Sequence, residues 1–103
     1  MPTQRFRHPA GAFEITSLPG QPQVAICHSF FVRETDRGRG KSHEIKAQQR
    51  HTLQSLQYDY AVCTVSGNNH AQKAVLSQGG WKKLTEFYNH RNAEFTETWG
   101  TTP

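Results

Sequence analysis

The sequence predicts a single α/β domain built on a mixed, twisted sheet. Three observations carry this prediction: apolar segments that alternate like strands, a helix-length polar segment between two of them, and turn residues at the junctions. A chain of 103 residues has room for one modest core. We therefore expect one domain over residues 1–103, with residues 1–11 as an N-terminal arm.

The first predicted elements form a hairpin followed by a helix. Segments 12–16 and 23–32 alternate as strands, and the turn residues at 18–22 between them predict an antiparallel hairpin. A helix should begin near Ser42, with Glu44 early in its first turn. Its apolar face is expected to carry Ile45, Gln49, Leu53 and Leu56.

The second half of the chain repeats this alternation of strand and helix. Residues 60–65 predict a buried strand, residues 69–78 a helix, and segments 81–88 and 93–99 a closing hairpin. A strand, helix, strand unit implies a right-handed crossover between parallel strands. Strands 23–32 and 60–65 should therefore be parallel.

A basic, glycine-rich turn stands between the second predicted strand and the first helix. Glycines allow backbone N–H groups to approach an anion, and a helix start offers unpaired N–H donors and a positive dipole end. The turn Arg37-Gly38-Arg39-Gly40-Lys41-Ser42 therefore predicts a ligand that contains a diphosphate. A Walker A loop is disfavoured, because Thr35 stands where that motif needs a glycine.

The same turn resembles the Arg/Gln-x-x-Gly-x-Gly/Ala loop of the GNAT-type N-acetyltransferases, with Ser42 at the last small position. Val32 falls where that family ends its central strand. After strand 60–65, Asn68, Ala71 and the ending Gly79-Gly80-Trp81 are similar to a second signature of the family. The resemblance covers about residues 22–99. It implies a GNAT-like sheet with an antiparallel hairpin, a central helix after the pyrophosphate loop, a parallel splayed strand pair and a C-terminal hairpin.

The resemblance also implies acetyl-coenzyme A as the cofactor and an amine of a small molecule or a protein as the acetyl acceptor. Main-chain groups at the end of the central strand would pair with the pantetheine arm, and those of the glycine turn would face the pyrophosphate. Asn68 would contact the cofactor arm or brace the splay, or would cap the following helix. The implied cofactor-binding residues are Phe31, Val32, Arg37, Gly38, Arg39, Gly40, Lys41, Ser42 and Asn68.

For catalysis the resemblance implies a base on or beyond the central strand, and the candidates are His28 and Glu34. The position at which the family often has a tyrosine as general acid is Val75 or Leu76. Residues before Ala12 are expected to contain no counterpart of the family's first strand and helix pair. An alternative function is therefore a catalytically silent GNAT-fold interaction or virion-structural subunit, encoded by a phage.

Charge and composition limit the kinds of partner. The net charge is +4, and the basic residues cluster around the glycine turn. This favours an anionic partner, either the cofactor or, as a less favoured alternative, nucleic acid. The small core predicts a homo-oligomer or larger assembly. No stretch is apolar enough to span a bilayer and the sequence shows no signal-peptide h-region, so we expect no membrane and a cytoplasmic location, or the virion under the alternative. The histidine and cysteine spacings predict no metal site, and Cys27 and Cys63 are expected to be partly buried, reduced thiols.

Overall fold

The computed structural model describes residues 3–103, which contain six strands and two α-helices. A single turn of 3-10 helix, Glu34–Asp36, lies between the third strand and the first helix. In chain order the elements are β1 (Gln4–His8), β2 (Gly11–Leu18), β3 (Gln21–Val32), α1 (Lys41–Ser55), β4 (Tyr60–Ser66), α2 (His70–Gln78), β5 (Lys82–Asn89) and β6 (Glu94–Thr101).

All of these strands belong to one sheet, in the order β1-β2-β3-β4-β6-β5. Neighbouring strands are antiparallel except β3 and β4, which are parallel and are joined by the crossover through α1. The predicted α/β class is therefore confirmed, with its antiparallel hairpin, central helix, parallel pair and C-terminal hairpin.

The prediction of an N-terminal arm was wrong for Gln4–His8. This segment is an edge strand that pairs antiparallel with β2, with Phe6 opposite Phe13. The two rings stack at 5.3 Å between centroids, and Arg5 forms an ion pair with Glu14 at 3.3 Å. Partial burial of the Phe6 ring and a ladder of main-chain hydrogen bonds hold the strand in place. Residues 1 and 2 of the predicted arm lie outside the described residues.

The core lies between the sheet and the two helices. Ile45 and Leu53 of α1 and Leu76 of α2 are fully buried in one cluster with residues of β2, β3 and β4. The predicted apolar face of α1 was wrong at its end, because the helix stops at Ser55 and Leu56 is 41% exposed. Neither helix of residues 3–103 is long and apolar enough to cross a membrane.

Strands β3 and β4 pair over only three residues each, 24–26 with 60–62. Beyond this point β3 continues to Val32 and β4 to Ser66, but the two strands no longer pair. The register of β3 against β2 shifts between Ala12 and Glu14, and Ser29, facing that shift, has a left-handed φ of 54°. The predicted splay of the parallel pair is thus present, and it leaves the β4 side of β3 open.

Candidate functional site

The connection from β3 to α1 is shaped by two glycines in the left-handed region. Gly38 has a φ of 77° and Gly40, which precedes the first helical residue, a φ of 72°. A Cβ built at either position would meet nothing within 4 Å. The conformation therefore requires glycine for its backbone angles and not for space.

This loop presents a row of free backbone donors. Within residues 3–103, no group accepts a hydrogen bond from the N–H of any residue from 38 to 42. The start of α1 carries no side-chain cap either. The first N–H groups of a helix point along its axis and carry the positive end of its dipole. The loop can therefore bind an anionic group with several backbone donors.

A cavity of about 430 Å³, here called the loop cavity, lies directly against these donors. Arg37 folds back so that its Nε donates to the carbonyl of Val32 at 3.1 Å, and Lys41 pairs with Glu44 at 3.0 Å. Arg39 is exposed and does not line the cavity. The predicted cofactor residues that line it are Phe31, Val32, Arg37, Gly38, Gly40, Lys41 and Ser42.

A second cavity of about 320 Å³, here called the fork cavity, occupies the gap between β3 and β4. It is walled by both strands and by α1 and α2, and it shares Phe30 and Gln72 with the loop cavity. The two cavities therefore adjoin. An extended ligand with its phosphates at the loop could follow the open edge of β3 into the fork.

Of the remaining predicted site residues, only His28 lines the fork cavity. Glu34 is exposed in the 3-10 turn and lines neither this cavity nor the loop cavity. Asn68 points to the C-terminal hairpin, where its Nδ2 donates to Glu94 Oε2 at 3.1 Å. The neighbouring Asn69 lines the fork cavity and caps α2 by accepting from the N–H of Gln72 at 3.1 Å.

His28 is held by polar groups on both ring nitrogens. Its Nε2 lies 2.9 Å from Thr16 Oγ1, and its Nδ1 lies 3.1 Å from Ser29 Oγ and 3.6 Å from Glu14 Oε1. A hydrogen bond from the Ser29 hydroxyl, with help from Arg5 and His28, keeps the pKa of Glu14 below its ordinary value. Glu14, which the sequence did not single out, is directly opposite His28 in the β2 and β3 register. This carboxylate can orient the imidazole and stabilise its protonated form.

The three tyrosines of the chain all lie away from the two cavities. Within the part of the chain that the structure describes, none of the three tyrosines lines the loop or the fork cavity. The Tyr58 hydroxyl bonds to Ser17 Oγ at 2.6 Å, Tyr60 lies where β3 and β4 are still paired, and the Tyr88 ring packs against His90. Val75 and Leu76, the positions predicted from the family pattern, are buried in α2.

The inner wall of the fork cavity holds a buried lysine and a buried amide. Lys46 is 8% exposed, and its Nζ donates to Gln49 Oε1 at 3.1 Å and lies over the rings of Phe30 and Trp81, at 4.6 and 4.9 Å from their centroids. Burial lowers the pKa of Lys46, an effect that the nearby thiols of Cys63 and Cys27 only partly oppose.

The two cysteines on the same wall are free and buried, as predicted. Burial raises the pKa of the Cys27 thiol to about 12 and also raises that of Cys63. Both sulfurs therefore stay protonated at neutral pH, which excludes them as thiolate nucleophiles there. They act as small apolar wall residues.

The sequence matches no protein-family model and no curated protein. Solved structures nevertheless share its architecture. An acetyltransferase of Bacillus subtilis in complex with CoA has a TM-score of 0.82 at 11% identity, over 91% of this chain and 69% of its own. The IAA acetyltransferase of Bacillus cereus has a TM-score of 0.82 at 9% identity, over 91% and 70%.

A third similar structure is an acetyltransferase of the GNAT family from Streptococcus pneumoniae, with a TM-score of 0.79 at 12% identity. The match covers 90% of this chain and 59% of that protein. At such low identity the likeness is one of backbone architecture. The protein therefore has the fold of the GNAT acetyltransferases.

Proposed function

We propose that the protein binds acetyl-coenzyme A and transfers its acetyl group to an amine. The observation that carries the proposal is the row of free N–H groups at residues 38–42, which lies at the mouth of the fork between β3 and β4. A GNAT fold with this row intact has the main-chain requirements for a nucleoside diphosphate attached to an extended arm.

In the proposed complex the pyrophosphate accepts hydrogen bonds from the loop, while Arg37 and Lys41 supply positive charge beside it. The pantetheine amides pair with the open edge of β3 at Phe31 and Val32, as an added strand would. The thioester then lies in the fork cavity, next to His28. The Bacillus subtilis structure, a complex with CoA, has the same fold, which supports coenzyme A as the ligand class.

The proposed chemistry is direct transfer. The acceptor nitrogen forms a bond to the thioester carbonyl carbon, the carbon–sulfur bond breaks, and the thiolate leaves. His28 takes the proton of the attacking amine, while Glu14 stabilises the resulting imidazolium. The thiolate then takes a proton from the imidazolium or from water. Glu34, Asn68 and Arg39 remain predicted site residues, although their positions give them no step in this scheme.

The binding proposal is tested by calorimetric titration with acetyl-coenzyme A and, separately, with ATP. We expect clear binding of acetyl-coenzyme A and much weaker binding of ATP, because ATP has no arm to pair with β3. The double variant Arg37→Ala with Gly40→Val should abolish this difference. Gly20→Val is the matched control, because Gly20 has a similar φ of 79° and open space around it, but lies in the turn between β2 and β3. Equal loss of binding in the control would contradict the assignment.

The transfer proposal needs a second assay, the release of free thiol in the presence of candidate amines. We expect release in the wild type, and its loss in His28→Ala with cofactor binding retained. A variant Glu14→Gln should reduce the rate by about 10- to 100-fold if the carboxylate supports the imidazolium. Thiol release that is unchanged in His28→Ala would exclude His28 as the base.

One observation favours a second candidate function. Among residues 3–103, no acidic residue and no tyrosine lines the fork cavity, so general acid or base catalysis there would depend on His28 or on the buried Lys46. The alternative is a GNAT-fold interaction or virion-structural subunit that binds the cofactor without turnover. Tight binding of acetyl-coenzyme A without thiol release, over a broad panel of amines, would favour it.

We also propose that the protein forms a homo-oligomer. The C-terminal hairpin carries four exposed apolar or aromatic side chains: Leu84, Phe87, Tyr88 and Phe95. Because successive strand residues face opposite sides of a sheet, Phe87 lies on one face and Tyr88 and Phe95 on the other. Exposed aromatic side chains of this kind are enriched at protein interfaces. Sedimentation equilibrium should give a mass above that of one chain, and Phe87→Ser should lower it. Binding of a nucleic acid of arbitrary sequence, with an affinity that falls steeply as salt is added, would instead support the nucleic-acid alternative.

A further inference from the structure

The inner wall of the fork cavity contains a buried cation that lacks an anionic partner. Lys46 is only 8% exposed, yet none of the ion pairs in residues 3–103 includes it. Its ammonium contacts one amide oxygen and two aromatic faces. Removing a charge from water without an opposite charge is costly, and aromatic rings compensate for only part of that cost. The lowered pKa of Lys46 has the same cause.

A second donor on the same wall has no partner at all. Gln49 is fully buried, and its Nε2 is the one buried side-chain nitrogen or oxygen of the described chain without a hydrogen bond. Its Oε1 is already occupied by Lys46 Nζ. A buried N–H without an acceptor costs free energy that a native structure usually avoids. The pair therefore holds two donors whose hydrogen-bonding capacity is not filled within residues 3–103. The Gln49 amide nitrogen has no exposed surface, so it reaches a ligand only when the side chain turns toward the cavity.

The composition of the cavity defines the chemistry of that missing group. No aspartate or glutamate lines the fork cavity, so nothing in its lining would repel an anion. Lys46 and Gln49 lie on α1, one turn apart, beside Cys27 of β3 and Cys63 of β4. The acyl end of an arm that enters from the loop cavity would arrive at this wall, because the two cavities adjoin at Phe30 and Gln72.

We propose that Lys46 and Gln49 bind the carboxylate of a dicarboxylic acyl group, so that malonyl or succinyl thioesters of coenzyme A are better donors than neutral ones. The inference rests on the proposed function and names its donor class. One carboxylate oxygen pairs with the ammonium of Lys46, and the other accepts from Gln49 Nε2. The transfer step is unchanged: a nitrogen–carbon bond forms, the carbon–sulfur bond breaks, the amine proton passes to His28, and the carboxylate takes no part.

The test compares three thioesters on the unaltered protein by calorimetric titration: succinyl-, malonyl- and butyryl-coenzyme A. Butyryl is close to succinyl in length but ends in an apolar methyl. We expect at least one of the two acidic thioesters to bind at least about tenfold more tightly than the butyryl ester, as a hydrogen-bonded charge pair in a buried site implies. Equal affinities, or tighter binding of the butyryl ester, would overturn the inference.

Two variants locate the effect. Lys46→Met removes the charge but keeps an unbranched side chain, one atom shorter, that can pack against Phe30 and Trp81. It should lose the preference for the acidic thioesters over the butyryl ester. Lys82→Met, on the exposed strand β5, is the matched control and should keep the preference. A preference that survives in Lys46→Met would overturn the assignment. So would an acyl group found on Lys46 by peptide mass spectrometry, because the amine would then be an acceptor.

These outcomes are separable from a failure of the proposed function. If neither coenzyme A nor any of its thioesters binds, the loop assignment itself is wrong. If all bind with equal affinity, the loop assignment stands and only the carboxylate site is refuted. A Lys46→Met protein that does not fold leaves the comparison on the unaltered protein decisive.

Discussion

Replacement of Gly40 by alanine isolates the contribution of the left-handed loop. An L-residue at a φ of 72° costs about 1–2 kcal/mol relative to glycine, because its Cβ crowds its own backbone. No other atom lies within 4 Å of the added Cβ, so no clash contributes. If the loop keeps its conformation, the free energy of unfolding falls by this amount. If the loop relaxes, the N–H groups turn away and the cofactor must restore them on binding.

The strain energy of the alanine is therefore divided between a loss of stability and a loss of affinity. The loss in unfolding free energy and the loss in binding free energy of Gly40→Ala should sum to about 1–2 kcal/mol. For a domain of this size, 1 kcal/mol corresponds to about 4–8 °C in Tm. In affinity, about 1.4 kcal/mol is tenfold. Thermal unfolding by circular dichroism measures the first quantity, and calorimetric titration with acetyl-coenzyme A measures the second.

Gly20→Ala is the matched control for this measurement. Gly20 has a φ of 79°, also lacks neighbours within 4 Å, and lies in the turn between β2 and β3, away from both cavities. Replacement of Gly20 by alanine changes the conformational entropy of the unfolded chain in the same way as replacement of Gly40. We expect a similar loss of stability with unchanged affinity. The reasoning is refuted if Gly20→Ala weakens binding as much as Gly40→Ala, or if Gly40→Ala changes neither quantity.

Three further predictions concern core packing, the hydrogen bonds of Arg50 to the C-terminal segment, and the pH dependence of stability. Leu53→Ala, at a fully buried position of α1, should lower the free energy of unfolding by about 2–5 kcal/mol in urea titrations, and a loss below about 1 kcal/mol would contradict its place in the core. Arg50 donates to the carbonyls of Gly79 at 2.6 Å and Thr102 at 3.0 Å, so Arg50→Ala should cost at least about 1.5 kcal/mol, with little recovery in Arg50→Lys. Burial acts to raise the pKa of Glu97, but hydrogen bonds from Lys73 and Trp99 outweigh it and leave the pKa below its ordinary value. A carboxylate whose pKa is lowered by folding stabilises the fold at pH values above its ordinary pKa, and this stabilisation is lost as pH falls through the pKa of the folded state. The stability advantage of wild type over Glu97→Gln should therefore shrink below about pH 5. A difference that stays constant with pH would argue against this prediction.

Most of the fold could be predicted because its signals are local. Strand alternation, the turn at Pro19 and Gly20, and the helix start after Gly40 are each encoded within a few residues. The edge strand Gln4–His8 could not be predicted in this way. Its one clear apolar side chain, Phe6, acquires meaning only when it stacks on Phe13 of the neighbouring strand.

The glycine loop of the candidate site could also be predicted from adjacent residues. The residues around the fork could not, because their positions depend on the register in which distant strands pair. Leu18 is opposite Gln21, and counting onward without a shift would place Glu14 opposite Ala25. A register shift between Ser17 and Leu18 places Glu14 opposite His28 instead. No periodicity in the sequence indicates this shift, so the pairing of a carboxylate with His28 was not predicted.

The inner wall and the helix cap were missed for related reasons. Lys46 is not part of the apolar face that the sequence predicts for α1, and it is buried because Phe30 and Trp81, distant in sequence, cover it. Asn68 and Asn69 are adjacent and chemically identical, yet Asn69 caps α2 and Asn68 bonds to the hairpin. The signal that could have separated them is the position of the first helical residue, which propensity alone fixes only to within a few residues.

The most direct test of the central claim is a titration of the ¹⁵N-labelled protein with coenzyme A, observed through its backbone amide resonances. Hydrogen bonds from the N–H groups of residues 38–42 to a pyrophosphate would shift their proton resonances strongly. We expect the largest changes there and along the open edge of β3, with little change in the turn at Gly20. Changes confined to the C-terminal hairpin, or none at residues 38–42 at saturation, would contradict the account.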